Sequence, residues 1–233
     1  MSRPSPAGDG AAAGGGTRAW LRATFSSLAV RNFRIYYAGQ TASMVGTWMR
    51  RTALGWVVYE MTGSRAMLGT VMGLALLPMF LLSPLAGTIA DRVDKRRLVV
   101  LTQLLAAMSS ALIALLLLTG WARMWHLMAL ATLGGIAFAF EVPSRQAFVS
   151  EIVGREHLLN AVALNSVLVN SSRVIGPAIA GLVMAAFGAG WCFLLDAASY
   201  LVVTGTLLAL RLPPHRPPAR RTSHWQDLLE GFR

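Results

Sequence analysis

Six continuous apolar runs, each near the roughly 20 residues that cross a bilayer, constrain this chain more than any other feature of its sequence. An α-helix rises about 1.5 Å per residue, so a run of this length spans about 30 Å of hydrocarbon. Transmembrane β-strands need alternating segments of only about 10 residues, and these runs do not alternate. The sequence therefore predicts an all-α membrane protein with six transmembrane helices: Ile35 to Tyr59, Ala66 to Ile89, Leu98 to Leu118, Met124 to Phe140, Leu158 to Phe187 and Trp191 to Leu210.

The composition agrees with this class and excludes most others. Of the 233 residues, 55% are hydrophobic and 13% are charged, whereas a soluble domain carries about a quarter charged residues. Mean hydropathy is +0.54. A single cysteine, Cys192, cannot form an internal disulfide. These values exclude a disordered chain and a disulfide scaffold, and they argue strongly against a water-soluble enzyme.

Basic residues outside the spans predict the orientation. If the N-terminus is inside, 16 of the 21 basic residues lie in cytoplasmic segments, and only Arg65 and Arg123 lie outside. Both termini are then cytoplasmic, in a multi-pass protein of the cell (inner or plasma) membrane. The net charge of +11 follows from a surface that faces anionic lipid, so no nucleic-acid partner is predicted.

The positions of the spans divide the chain into three predicted segments. Residues 1–27 form a flexible or disordered cytoplasmic tail rich in Gly, Ala and Pro, and residues 28–212 form the six-helix transmembrane domain. Residues 213–233 form a cytoplasmic linker that begins with prolines. Its end carries apolar residues at helical spacing, which predicts a short amphipathic helix on the membrane surface.

The loop after the second span carries a charged motif, Gly87-Thr-Ile-Ala-Asp91-Arg92-Val-Asp94-Lys95-Arg96-Arg97. A carboxylate beside a cationic cluster can hold two helix ends together and release them when they separate, which suits a gate. The alternative is a basic loop that only sets the topology. The candidate gate residues are Gly87, Asp91, Arg92, Lys95, Arg96 and Arg97.

A second motif lies in the fifth span and reads Arg173-Val-Ile-Gly176-Pro177-Ala-Ile-Ala180-Gly181. Small residues allow helices to approach closely, and Pro177 removes one backbone hydrogen bond, which favours a bend. We expect Gly176, Pro177 and Gly181 to form a point about which the helices pivot.

Polar residues inside the spans follow three helical faces. An arginine at the bilayer centre costs about 2.5 to 3.5 kcal/mol, so such residues rarely face lipid. The pattern predicts a wet interior, with a substrate cavity lined by Gln40, Ser43, Thr47, Arg50, Arg51, Ser166, Asn170 and Arg173. The arginines either attract anionic or polar groups of a substrate, or form an internal ion pair with Asp196.

Three carboxylates lie in or beside the spans. Asp196 is the only one well inside a span, which makes it a candidate for proton coupling or a structural partner of the arginines. Glu60 and Glu141 lie at span ends, where we expect water to solvate them.

These motifs resemble those of the major facilitator superfamily. The loop resembles the family signature Gly-x-x-x-Asp-Arg-x-Gly-Arg-Lys/Arg-Lys/Arg and departs from it at Asp94, where glycine is usual. The fifth span resembles the antiporter motif with core Gly-Pro-x-x-Gly-Gly, with Ala180 in place of one glycine. The arginine motif of the fourth span is not evident near Gly134 and Gly135. Segments such as Val58 to Ser64 and Pro143 to Phe148 are similar to the enterobactin-exporter-like, drug-efflux branch.

The resemblance implies a fold and a function. Members have twelve spans in two halves, so this chain is expected to form the N-terminal half, built from two three-helix inverted repeats. The implied function is proton-driven efflux of a small amphipathic molecule, a drug or a siderophore, by alternating access. Its partners would be lipid, protons, the substrate and a C-terminal half that is missing or supplied separately.

Two other classes of function remain as alternatives. The chain could be a non-transporting six-helix subunit, truncated or regulatory. A membrane enzyme is less favoured, because the sequence shows no metal-ligand cluster, phosphate loop or nucleophile triad. No cofactor or metal is predicted.

Overall fold

A computed structural model of the chain describes residues 26–210, apart from the side chains of residues 91 and 92. After a short 3-10 helix at Ser26–Ala29, five α-helices follow. They are α1 (Arg31–Thr62), α2 (Arg65–Arg92), α3 (Lys95–Leu118), α4 (Met124–Phe187) and α5 (Ala189–Ala209). Most of the predicted tail and the predicted linker with its amphipathic helix lie outside the described residues.

The helix α4 replaces two of the predicted spans. It begins at Met124, the predicted start of the fourth span, and ends at Phe187, the predicted end of the fifth. The expectation of six separate helices is therefore not confirmed, because the described residues form five. Within α4 only Gly154 has non-helical backbone angles, φ 69° and ψ 172°, and it divides the helix into a first limb (residues 124–153) and a second limb (residues 155–187).

Gly154 is expected to resist substitution, although its surroundings are open. A Cβ added there would meet nothing within 4 Å. Its φ and ψ values, however, lie in a region that only glycine adopts without strain of about 1–3 kcal/mol. Gly154→Ala should lower the free energy of unfolding by that amount, as measured by thermal unfolding in detergent. The matched control is Gly73→Ala in α2, which is equally open but helical; an equal loss there would contradict the explanation.

Four of the five helices are long and apolar enough to cross a membrane: α2 over Arg65–Ala90, and α3, α4 and α5 over their whole lengths. The exception is α1, the least apolar of the five. The sequence predicts that α1 contains the first membrane span. The mean hydropathy of this helix is lowered by its polar face from Gln40 to Arg51.

Packing of the described residues forms two large apolar clusters, with a polar layer and a small third cluster between them. The third cluster contains Ala106, Ala107, Ala137 and Tyr200. One cluster joins Leu54 of α1, Ile113 of α3 and Phe193 of α5. The other joins Phe33, Phe148 and residues near the end of α5. Between them, every described helix except α2 contributes buried polar side chains: Gln40, Ser43, Thr47, Thr102, Gln103, Ser109, Ser110, Glu141, Ser144, Ser172, Asp196, Ser199 and Thr204.

Candidate functional site

The centre of the polar layer is an ion pair between α1 and α5. Arg50 Nε lies 3.0 Å from Asp196 Oδ2, and the Asp196 side chain is fully buried. The Nε–H bond does not point at that oxygen, so the contact is a charge pair rather than an aligned hydrogen bond. Ser110 of α3 donates its hydroxyl proton to the same oxygen at 2.6 Å. Three helices therefore meet at one carboxylate.

A second polar contact lies one turn along α5. The hydroxyl groups of Thr47 and Tyr200 are 3.1 Å apart and both residues are buried. Close helix packing makes room for this layer, because a Cβ added at Gly46 would stand 3.0 Å from Asp196 Oδ1 and 2.7 Å from Ser199 Oγ. The polar side-chain atoms of Gln40 and Ser43 are buried and have no hydrogen-bond partner among the described residues.

A cavity of about 320 Å³ adjoins the ion pair. Its polar side is formed by Thr47, Arg50 and Arg51 of α1, and its apolar side includes side chains from α2 and α4. Arg50 thus connects the fully buried Asp196 to an open space. The lining residues are Thr47, Arg50, Arg51, Leu54, Met72, Ala75, Leu76, Ala131, Gly134, Gly135 and Phe138.

The other two intramembrane arginines share an aromatic partner. The guanidinium carbon of Arg51 lies 5.1 Å from the centre of the Trp48 ring and 5.8 Å from that of Phe138. Arg173, from the second limb of α4, lies 4.9 Å from the same Trp48 ring. Of the three arginines, only Arg50 forms an ion pair with Asp196 in the described part of the chain.

The predicted polar face of the fifth span lies on the outer surface of the second limb. Ser166, Asn170 and Arg173 are exposed. Ser166 and Asn170 each donate a side-chain hydrogen bond to a backbone carbonyl four residues earlier in the same limb. The three side chains therefore lie on an exposed face of the helical unit, and none of them lines the 320 Å³ cavity.

Gly176 and Gly181 have different surroundings. A Cβ at Gly176 would stand 2.5 Å from the Cβ of Trp48 and 3.0 Å from the backbone of α1, so the two helices meet closely there. A Cβ at Gly181 would meet nothing within 4 Å. Pro177 lies inside α4, and Gly154 is the only interior residue of that helix with non-helical backbone angles.

A second buried ion pair was not expected from the sequence. Glu141 is only 5% exposed, so the expectation that water solvates it is wrong. Arg145 Nε lies 3.3 Å from its carboxylate, and Arg145 Nη1 donates a 2.9 Å hydrogen bond to Asn165 Oδ1 on the second limb. The spacing of four residues between Glu141 and Arg145 was the available signal, because such pairs share one helix face.

The charged loop connects helix ends. Asp94 caps α3 by accepting a 3.1 Å hydrogen bond from the backbone of Arg97, and its φ of −58° shows that no glycine is needed there. Lys95 Nζ lies 3.4 Å from Glu151 of α4, and Arg96 donates a 2.8 Å hydrogen bond to the carbonyl of Leu208 in α5. Gly87 has open space around it. The side chains of residues 91 and 92 lie outside the described part of the chain.

The site has no grouping of metal-binding residues within residues 26–210, where no three His, Cys, Asp or Glu side chains come together. Its features are instead apolar helices, a buried charge pair and a cavity next to it. Intramembrane charges of this kind mark ion or substrate pathways in membrane proteins. The fold and the site therefore define a helical membrane protein with a charged interior.

The chain belongs to the transmembrane secretion effector family of the major facilitator superfamily, whose description it matches over residues 22–233. This confirms the resemblance in the sequence motifs. It is 32% identical over 183 residues to the staphyloferrin A transporter of Staphylococcus aureus, a match that covers 78% of this chain and 45% of the relative.

Two further relatives carry names of exporters. The enterobactin exporter EntS of Shigella boydii is 29% identical over 202 residues, covering 86% of this chain and 48% of the relative. Macrolide efflux protein A of Streptococcus pyogenes is 23% identical over 181 residues, covering 78% and 45%. The chain thus spans about half the length of the curated relatives it matches.

Proposed function

We propose that this chain is the N-terminal half of a secondary active transporter that exports a small amphipathic molecule by alternating access. The observation that carries the proposal is the buried Arg50–Asp196 pair beside a cavity, in a chain whose relatives are named as transporters and exporters. A buried charge pair is costly to maintain in hydrocarbon, and such pairs persist where they serve a pathway. A second half, on the same or another polypeptide, would cover the open face that carries Asn170 and Arg173.

The proposed arrangement in the membrane has six crossings. The two limbs of α4 are joined at Gly154 and each crosses the membrane once. With α1, α2, α3 and α5 they give six transmembrane segments, which form two three-helix inverted repeats. The protein lies in the inner or plasma membrane of the cell, and both of its termini lie in the cytoplasm. The break at Gly154 supports this arrangement, because a 64-residue helix is far longer than the roughly 20 residues that span a bilayer.

Proton coupling is assigned to Asp196. Its Oδ2 contacts Arg50 and accepts the hydroxyl proton of Ser110, whereas its Oδ1 has no hydrogen-bond partner among the described residues. A proton arriving at Oδ1 would neutralise the carboxylate and remove the charge that holds Arg50. The guanidinium would then be free to turn into the cavity that it lines. Loss of the proton would restore the pair and reset the site.

The charged loop and the glycine motif would control the opening. Asp91, Arg92, Lys95, Arg96 and Arg97 form the proposed cytoplasmic gate, and it is supported by the contacts of Lys95 with the end of the first limb of α4 and of Arg96 with the end of α5. Breaking those contacts would let the helix ends separate. Gly176 supports the proposed pivot, since it brings the second limb against the backbone of α1.

The test is proton-dependent efflux. Inside-out membrane vesicles containing the protein are given a pH gradient and, in separate runs, enterobactin, staphyloferrin A or a macrolide. We expect wild-type vesicles to accumulate at least one of them, and Asp196→Asn to abolish the dependence on the gradient, because an amide cannot take up a proton. Glu60→Gln is the matched control, since Glu60 is an exposed carboxylate at the end of α1, and it should behave as wild type.

Two results would contradict the proposal. If the vesicles accumulate none of the three molecules under any gradient, the proposal that the protein exports siderophores or macrolides is wrong. If Asp196→Asn remains as dependent on the gradient as wild type, the coupling residue lies elsewhere.

A further inference from the structure

We propose that Arg51, Arg173 and the Trp48 ring between their helices form a binding site for an anionic aromatic or otherwise amphipathic molecule that carries a carboxylate or a comparable oxyanion. The inference rests on the proposed function and narrows it, because it gives the substrate a charge sign. It follows from the balance of charge and from the geometry around Trp48.

The first step is the count of charges around Trp48. Arg50 is paired with Asp196. Arg51 and Arg173 have neither an ion pair nor a hydrogen bond among the described residues, and both lie about 5 Å from the same indole ring. Arg51 is half-buried and Arg173 is exposed. Their like charges repel one another, and an anion that contacts both is favoured.

The second step is the aromatic contact that the two guanidinium groups share. Aromatic faces stabilise arginine through cation–π contacts, most strongly when the ring is tryptophan. Such stacking uses the face of the guanidinium and leaves its N–H edge available. That edge matches a carboxylate or phosphate in a bidentate manner. The Arg51 guanidinium carbon lies 5.1 Å from the centre of the Trp48 ring and 5.8 Å from that of Phe138, and its N–H groups make no hydrogen bond among the described residues, so they are available to an anion.

The third step is the shape of the space beside Arg51. The cavity of about 320 Å³ has Arg51 on its polar side and Leu54, Met72 and Leu76 on its apolar side. A small molecule with an anionic group at one end and an aromatic or aliphatic body fits this division. A cation in the cavity would face the unpaired Arg51, and a neutral polar molecule would leave its charge uncompensated.

The fourth step concerns the two helices that carry the arginines. Arg51 belongs to α1 and Arg173 to the second limb of α4, and these helices meet at Gly176, where the limb packs against Trp48. An anion that contacts both guanidinium groups would join the two helices. Occupation of the site would therefore stabilise the arrangement in which α1 and the second limb are closely packed.

The test is an equilibrium binding measurement on the protein in nanodiscs of uncharged phosphatidylcholine. The probe is radiolabelled terephthalate, with terephthalamide as its neutral analogue and p-xylylenediamine as its cationic one. We expect terephthalate to bind at least tenfold more tightly than either analogue. Arg51→Gln and Arg173→Gln should each weaken its binding at least tenfold, whereas Arg65→Gln, an exposed arginine at the start of α2, should not.

The outcomes separate this inference from the proposed function. Equal binding of the three probes, no binding of terephthalate, or an equal loss in Arg65→Gln would overturn the anion site. Because the measurement uses no gradient, Asp196→Asn protein should still bind terephthalate even if it no longer transports. Thermal unfolding of each variant identifies any that misfold, and for those Arg51→Lys or Arg173→Lys replaces the glutamine variant. The lysine variant keeps the positive charge, so it should still bind terephthalate more tightly than terephthalamide, and loss of that preference would also overturn the site.

Discussion

Asp196→Ala is expected to lower the free energy of unfolding by about 3–5 kcal/mol, because it removes the only anion that Arg50 contacts within residues 26–210 and leaves a buried charge unpaired. The Arg50 side chain is 13% exposed and lines the cavity, so water reaching it would place the loss at the lower end of that range. The variant also removes the acceptor of the Ser110 hydroxyl. Thermal or denaturant unfolding in detergent measures the change.

The control for this prediction is the double variant Arg50→Leu with Asp196→Leu. Replacing both charges with apolar residues of similar volume removes the unpaired charge, and such replacements of buried pairs are often neutral or stabilising. The double variant should therefore be more stable than Asp196→Ala alone, while losing any coupling to protons. If the single and double variants lose the same amount, the pair does not carry the stability assigned to it.

Gly176→Ala is expected to give the second large effect, a loss of about 1–3 kcal/mol with reduced efflux. The added Cβ would stand 2.5 Å from the Cβ of Trp48 and 3.0 Å from Met49 N and Val45 O. Two of those three atoms belong to the backbone of α1, which cannot rotate away as a side-chain tip can. The second limb would have to withdraw from α1, and Trp48 would shift relative to Arg173.

Gly181→Ala is the matched control within the same motif, since a Cβ there meets nothing within 4 Å. Alanine is favoured over glycine inside a helix by about 0.5–1 kcal/mol, so this variant should be as stable as wild type or slightly more stable. Unfolding in detergent and efflux in vesicles would be measured for both. If the two variants have the same stability and the same efflux, the close packing of Gly176 against α1 does not explain the motif.

The membrane-spanning character was predictable from the sequence because it depends on local composition. Long apolar runs give helices in lipid whatever their neighbours are. The start of α4 at Met124 and its end at Phe187 agree with the predicted spans for that reason. The number of helices was not predictable in the same way. A short polar segment between two apolar runs can be a loop or a continuation, and here only Gly154 leaves the helical conformation.

The partners of the charged residues depend on tertiary packing, which the sequence does not display. Three intramembrane arginines faced one candidate carboxylate, and periodicity alone gave no reason to choose Arg50 over Arg51 or Arg173. Asp196 pairs with Arg50 because Gly46 lets α5 approach α1 closely near Asp196. Glu141 was misplaced because its position near the end of an apolar run suggested water, whereas α4 continues past it and buries it against Arg145.

The most direct test of the account is whether the cavity opens alternately to the two sides of the membrane. The chain has one cysteine, the buried Cys192, so Cys192→Ser provides a background for Leu76→Cys, an exposed cavity-lining position. A membrane-impermeant thiol reagent is applied to right-side-out and to inside-out vesicles. Alternating access predicts reaction from both faces, with rates that change in opposite directions when a pH gradient is imposed. Reaction from one face only, at a rate indifferent to pH, would contradict the account.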